Sequence, residues 1–152
     1  MREVRESIAL DVPAAQAEQC ILEFIERHRR DNAAIEFPLR VSLEQFGVPG
    51  GLRLERMVNV HVTRQRDAQN LNDEIGIRWD PGTGEPFPAF SGSLTVWSEQ
   101  AQTFVELRGT YEPPLGAAGK MFDDAIGHIV AQRTAHQFLL TLAQGAQACF
   151  QR

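Results

Sequence analysis

The sequence has few of the features that mark secreted, membrane-spanning or metal-binding proteins. Its 152 residues include two cysteines, Cys20 and Cys149, which are too few for a disulfide framework and stand in no CxxC or Cys/His spacing. We expect both to be small buried hydrophobes. No stretch approaches the roughly 20 apolar residues of a membrane span, and the amino-terminal segment lacks the apolar run of a signal peptide. We therefore expect a cytoplasmic protein without stable membrane insertion, bound metal or cofactor.

Positive charge is also scarce. The 15 basic residues face 20 acidic ones, which leaves a net charge of −5. General attraction to nucleic acid or to anionic lipid is therefore not expected. Lys120 is the single lysine, an arginine bias typical of a GC-rich bacterial genome. With 43% hydrophobic residues, a chain of this length can bury a substantial core, so we expect one domain over residues 1–152.

The hydrophobic pattern changes period along the chain. The first strand is predicted around Val4 to Leu10, and a helix with three- and four-residue spacing is predicted from Pro13 to about Asn32. Period-2 patterns then predict further strands at 38–45, 53–64, 73–80, 87–98 and 103–111. A last helix of roughly 30 residues is predicted to reach about Phe150.

Glycine and proline punctuate these segments. GVPGG at 47–51 and DPGTGEP at 80–86 favour turns, residues 98–102 fit a short hairpin loop, and Pro113 and Pro114 end the last strand. Short connections between successive strands indicate an antiparallel meander. The sequence therefore predicts an α+β architecture in which a curved sheet wraps the last helix.

Local stretches of the sequence resemble the START-like, or SRPBCC, superfamily, which includes birch-pollen-type allergens and polyketide aromatases and cyclases. The stretches that carry the resemblance, to a bacterial branch of it, are FPAFSGSLTV at 87–96, LRGTYEPPLGAAG at 107–119, AIG at 125–127 and TAHQFLLTLA at 134–143. The resemblance covers nearly the whole chain. It implies a helix-grip fold with six or seven antiparallel strands around the C-terminal helix, and a cavity between them for a small hydrophobic or amphipathic molecule.

The sequence departs from that pattern in two ways. Six strands are evident where seven are usual, and one helix follows the first strand where two are common. Either the segment Ala33 to Phe37 is a vestigial helix, or one long strand is interrupted by a bend.

Strand phase predicts which side chains face the cavity. The inward set comprises Leu54, Arg56, Val58, Val60, Val62, Ile75, Ile77, Trp79, Phe90, Leu94, Val96, Val105, Leu107, Gly109 and Tyr111. Trp97 has the opposite phase and is expected on an outer surface. His61 lies on the polar phase, so we expect it to face solvent.

The last helix carries an apolar stripe with two cations in it. Its predicted members are Phe122, Ala125, Ile126, Ile129, Val130, Leu140 and Ala143, and Arg133 and His136 fall among them. The functional interpretation is that both cations hold the polar end of a ligand. The alternative is that Arg133 snorkels or pairs with a carboxylate, while His136 is a hydrogen-bonded core histidine.

Other polar residues have two interpretations as well. Glu6 and Arg56 share inward strand phases and either form a polar cluster with Arg133 or reflect twist at a sheet edge. Tyr111 either offers its hydroxyl to a ligand or is ordinary core, and the same choice holds for Trp79. Asp124 and His128 are expected to form a solvated pair that points away from the stripe.

The candidate ligand-binding residues are therefore Arg56, Trp79, Phe90, Tyr111, Ile129, Arg133 and His136. No HExxH, GxSxG, P-loop or dinucleotide motif is present, so no catalytic residue is assigned. The leading hypothesis is binding or transport of a small hydrophobic or amphipathic ligand. The alternatives are an aromatase- or cyclase-like enzyme that uses His136 or Tyr111, and an interaction domain with a filled core. Homodimerisation stays open, because a curved sheet has edges that must be covered.

Overall fold

The computed structural model describes residues 2–27, 34–42, 53–66, 73–79, 89–112 and 124–151, with side chains except at 34–42, 53–59, 64–66, 73–74 and 124–127. In these ranges the elements follow the order β1 (Arg2–Leu10), α1 (Ala14–Arg27), β2 (Ala34–Ser42), β3 (Arg53–Arg66), β4 (Asp73–Trp79), β5 (Ala89–Glu99), β6 (Gln102–Glu112) and α2 (Asp124–Phe150). This order confirms the α+β architecture that the sequence predicts.

The six described strands form one antiparallel sheet. Their spatial order is β1-β6-β5-β4-β3-β2, so the meander from β2 to β6 is closed at its far side by the N-terminal strand. Both edge strands, β1 and β2, contact α2. The sheet must therefore curve around this helix, as predicted.

Residues 34–37 are part of β2 and not of a vestigial helix. Each pairs with a residue of β3, from Ala34 opposite His61 to Phe37 opposite Val58. Pairing with β3 satisfies the backbone groups of this segment in an extended conformation. Pro38 fits the same strand because β2 lies at an edge of the sheet, where proline is tolerated.

Strand alternation was predicted correctly wherever side chains are described. The inward residues that are buried in the core are Val60, Ile75, Ile77, Trp79, Phe90, Leu94, Val105, Leu107 and Tyr111. Trp97 lies on the other face, where its ring stacks on Phe104 at 5.5 Å between centroids. The hairpin between β5 and β6 turns at Gln100 and Ala101, which both have positive φ, within the loop predicted at 98–102.

The buried face of α2 differs in part from the predicted stripe. It consists of Val130, Ala131, Thr134, Ala135, Phe138, Leu139, Leu142, Ala143 and Ala146. Leu140, predicted to be inside, is 36% exposed, because it lies about 200° around the helix from Phe138. The hydroxyl of buried Thr134 donates to the Val130 carbonyl at 2.7 Å, which satisfies the one polar side chain on this face. The side chains of Phe122, Ala125 and Ile126 lie outside the described residues.

Helix α1 packs against the C-terminal half of α2. It begins where proline predicted, since the Pro13 carbonyl accepts hydrogen bonds from the amides of Gln16 and Ala17. Cys20 is buried in this contact, as expected. Cys149 is not a buried hydrophobe, because it is half-exposed and its thiol donates to Glu23 Oε2 at 2.8 Å.

Candidate functional site

A row of aromatic side chains crosses the inner face of the sheet at one end. Trp79 pairs with Phe90, and Phe90 pairs with Tyr111, so the three residues are direct neighbours on β4, β5 and β6. The Trp79 and Phe90 rings stack with centroids 4.5 Å apart and planes 22° apart. Phe138 of α2 packs on Trp79 at 5.3 Å. All four rings are at most 3% exposed, so side chains fill this part of the interior.

Two glycines make room for the Phe90 ring. Gly92 and Gly109 face each other across β5 and β6 on the inner face. A Cβ atom at Gly92 or Gly109 would lie 2.7 or 2.8 Å, respectively, from Phe90 Cζ. The ring therefore lies directly over two backbones that have no side chain, the close approach for which glycine is used within strands. The sequence alone does not show that these two glycines are opposite each other, because that depends on the register between β5 and β6.

The hydroxyl of Tyr111 faces the imidazole of His128. The Tyr111 oxygen and His128 Nδ1 are 3.3 Å apart, and the two rings are tilted by 43° with centroids 6.1 Å apart. Tyr111 is 1% exposed, whereas His128 is exposed. His128 therefore does not point wholly away from the buried face, whereas the side chain of Asp124, its expected partner, lies outside the described residues. The N-terminal turns of α2 lie close enough to the end of β6 for an imidazole at the rim of the buried face to reach inward.

A second polar group lies at the edge of the sheet. Glu6, Ile129, Gln132, Arg133 and His136 line a groove of about 300 Å³ between β1 and α2. His136 Nδ1 is 3.6 Å from Glu6 Oε2, an ion pair when the imidazole is protonated. Arg133 is exposed at the surface of this groove. The inward phase of Glu6 is explained by its position on the edge strand, where that phase faces the side of α2.

The described residues hold few other candidate sites. They contain no group of three histidine, cysteine or acidic side chains that could hold a metal ion. A concavity of about 880 Å³ runs along the outer side of α1, where Glu18, Glu23 and Glu26 are among the lining residues. This surface is acidic and faces away from the sheet, so it is poorly suited to an apolar molecule. Neither described helix is long and apolar enough to cross a lipid bilayer.

Comparison with known proteins finds similarity in structure only. No protein-family model matches the sequence, and no curated protein does. TTHA0849 from Thermus thermophilus is 17% identical, with 96% of this chain and 97% of that chain covered and a TM-score of 0.47. Ara h 8.0201 is 13% identical, with 97% and 95% covered and a TM-score of 0.49. The di-domain ARO/CYC BexL from the BE-7585A biosynthetic pathway is 18% identical, with 99% of this chain but 45% of that chain covered and a TM-score of 0.45.

Element order, strand order and the contact of both sheet edges with the last helix together decide the fold. This is the helix-grip fold. It is the architecture that the resemblance to the START-like superfamily implied.

The helix-grip fold divides the predicted ligand-binding residues into two groups. Trp79, Phe90 and Tyr111 meet at one end of the inner face. Ile129, Arg133 and His136 line the edge groove. His136 lies two turns beyond His128, about 12 Å along α2, so His136 and Tyr111 do not share a site. Arg56 pairs with Leu39 in the β3–β2 ladder, and its side chain lies outside the described residues.

Sequence reasoning did not place His128 among the candidate ligand-binding residues. Its spacing from Asp124 indicated a surface pair, and the helical stripe gave no reason to turn it inward. The usable signal lies on the strand: Tyr111 has an inward phase near the end of β6, and a buried tyrosine hydroxyl needs a polar partner. His128, early in the helix that follows this strand, is the histidine placed to supply one.

Proposed function

We propose that this protein binds a small apolar or amphipathic molecule at the end of the sheet–helix interface marked by Trp79, Phe90 and Tyr111. The observation that carries the proposal is the contact between the buried Tyr111 hydroxyl and the exposed His128 imidazole, at the end of a row of aromatic rings. We name this end of the molecule, with Trp79, Phe90, Tyr111 and His128, the aromatic end.

The aromatic end combines the two properties that an amphipathic ligand requires. Ring faces supply apolar area with few rotatable bonds, so little side-chain entropy is lost on binding. The hydroxyl and the imidazole each donate or accept a hydrogen bond, so the pair suits a hydroxyl, carbonyl or carboxylate group. This division of an apolar wall and a few polar groups is the usual one for small-molecule sites.

The direction of entry follows from exposure. Tyr111 and Phe90 are buried, whereas His128 is in contact with solvent. A ligand therefore approaches past His128 and extends the row of rings from the Tyr111 side, with its polar group near Nδ1. The rings already fill the space further inside, so a flat ligand that stacks on the row suits this end better than a long chain.

The two tryptophans provide the experiment. Trp79 lies in the aromatic end and Trp97 on the outer face, and the sequence has no other tryptophan. Trp97→Phe leaves Trp79 as the sole reporter, and Trp79→Phe leaves Trp97. We expect the neutral probe N-phenyl-1-naphthylamine to quench Trp79 saturably and more strongly than Trp97, because contact quenching and resonance energy transfer both weaken with distance.

Two results would contradict the proposal. Equal quenching of Trp79 and Trp97 would show nonspecific partition of the probe. If Trp97→Phe shows no saturable binding and unfolds like the original chain, the result would favour the interaction domain with a filled core. The close packing of the rings is consistent with such a core. Trp79→Phe needs the same folding control, because it removes a buried ring.

An acid–base enzyme is the second candidate, and the same contact favours it. Tyr111 and His128 are placed to share a proton, and a substrate that reached Nδ1 would meet a general acid or base. This assigns the chemistry to His128, since His136 is two turns away. Tyr111→Phe should keep most of the affinity for N-phenyl-1-naphthylamine under both candidates, so turnover separates them: an enzyme loses conversion of its substrate in this variant, and a binding protein has none to lose.

A further inference from the structure

The outer face of the sheet carries a row of polar side chains in direct register. His61 pairs with Arg78, Arg78 with Ser91, and Ser91 with Thr110, across β3, β4, β5 and β6. All four alternate with inward residues, so their side chains point away from the core. They line one concavity of about 460 Å³ together with Trp79, Ala89, Phe90 and Glu112. We name His61, Arg78, Ser91 and Thr110 the outer row.

Arg78 differs from Arg5 and Arg108, which lie on the same face of the sheet. Arg5 bonds Glu106 at 2.8 Å, and Arg108 bonds Glu3 at 3.3 Å. Among the described residues, Arg78 has neither an ion pair nor a hydrogen bond, although the chain as a whole is acidic. Its cross-strand neighbours are an imidazole and a hydroxyl instead of carboxylates.

We propose that the outer row binds a tetrahedral oxyanion, as inorganic phosphate or as the phosphate group of a small phosphomonoester. Arg78 supplies a charged, forked set of N–H donors that matches phosphate oxygens. Ser91 and Thr110 supply hydroxyl donors, and His61 has at least one ring N–H in either protonation state. His61, Arg78 and Ser91 lie on three adjacent strands and can converge on one anion, and a phosphate offers them three terminal oxygens.

The surrounding charges place the anion at the Arg78 end of the row. Glu112 lies on β6, two strands from Arg78, which corresponds to about 10 Å. Glu3, opposite Thr110 on β1, is neutralised by Arg108. An anion held between His61, Arg78 and Ser91 is therefore beside the cation, and Glu112 is on a strand two positions further along the sheet.

The side chains of the outer row leave the sheet on the face opposite to the rings of the aromatic end, although Trp79 and Phe90 also line the concavity. Amide chemical shifts of the ¹⁵N-labelled protein, followed during titration with sodium phosphate at constant ionic strength, test the proposed anion site. We expect saturable shifts at residues 61, 78, 91 and 110. Arg78→Gln should weaken binding at least tenfold, because it removes the charged donor. Arg5→Gln, which removes the same charge from the same face, should change it less than twofold.

Phenyl phosphate and acetate complete the test. Tighter binding of phenyl phosphate than of inorganic phosphate points to an organic phosphomonoester, and equal binding points to free phosphate. Acetate binding as tight as phosphate would overturn the proposal, since phosphate offers the same donors a third oxygen and more negative charge. So would equal weakening by Arg78→Gln and Arg5→Gln, or shifts that do not saturate, because general charge attraction would explain both.

Discussion

Cys149 and Glu23 form a contact between the two helices that changes the acidity of both groups. The Cys149 thiol donates to the Glu23 carboxylate, and this hydrogen bond raises the pKa of the thiol to about 11. The same hydrogen bond, assisted by one from Gln19, lowers the pKa of Glu23. The folded state therefore favours a neutral thiol beside a charged carboxylate. This preference is full below the ordinary thiol pKa of about 8.5 and is lost as the pH rises through about 11.

Substitution of Glu23 by glutamine should make Cys149 more reactive. At pH 8.5 the raised pKa leaves roughly a hundredfold less thiolate than an unperturbed cysteine would have, and the thiolate is the form that reacts. The rate of alkylation by iodoacetamide, measured at Cys149 by peptide mass spectrometry, should therefore be low and should rise by at least tenfold in Glu23→Gln.

Two controls accompany that measurement. Gln19→Ala removes the other partner of Glu23 but keeps the carboxylate that accepts from the thiol, so it should leave the Cys149 rate nearly unchanged. Buried Cys20 reports opening of the structure, and its rate should stay low in all three proteins. A Cys149 rate that is the same with and without Glu23 would show that the hydrogen bond does not control the thiol.

The candidate site was only partly predictable at the scale of single residues. Period 2 in a strand assigns each side chain to one of two faces, and the predictions for Trp79, Phe90 and Tyr111 follow from that alone. A helix offers a continuous range of directions. The phase of α2 placed Arg133 and His136 near the apolar stripe, but it could not show that they face an edge groove instead of the interior.

At the scale of elements, α1 and α2 meet through a ring and a glycine. A Cβ atom on Gly145 would overlap the Phe24 ring, whose Cδ2, Cε2 and Cγ atoms are its nearest neighbours. Phe24 is partly buried against the core, so its ring lies on the bare backbone of α2. The distance between the two helices depends on the absence of a side chain at this position.

Gly145→Ala should lower the free energy of unfolding by about 1 to 3 kcal/mol, the usual cost of inserting a group into a packed contact. The sign is informative, because alanine in place of glycine within a helix ordinarily stabilises by about 1 kcal/mol. Urea unfolding followed by circular dichroism measures the change. Gln144→Ala, at an exposed position one residue away, is the control and should change stability by less than about 0.5 kcal/mol.

An increase in stability of Gly145→Ala would mean that the Phe24 ring moves aside without loss of packing. In that case the double variant Phe24→Leu with Gly145→Ala should show no coupling between the two positions. A contact that sets the helix spacing should instead give a clear coupling energy in the same double-mutant cycle.

At the scale of the whole molecule, element order determined most of what could be predicted. Hydrophobic periodicity and turn residues predicted six strands and two helices. The antiparallel pairing of consecutive strands followed from the short connections between them. The contact between Tyr111 and His128 was predictable only in part: a buried tyrosine hydroxyl calls for a polar partner, but which side chain supplies it depends on where α2 crosses the sheet. That position is set by many side chains at once, including Phe24 against Gly145 and Phe138 against Trp79.

The contact of both edge strands with the last helix also affects how the chain folds. Contacts such as Glu23 with Cys149 join residues 126 positions apart, and Arg5 with Glu106 joins residues 101 apart. Such separations give a high contact order, which slows folding because distant segments must meet before their contacts stabilise anything. During synthesis, the apolar face of the sheet stays uncovered until α2 has been made. Premature self-association in that interval is the hazard that this architecture carries.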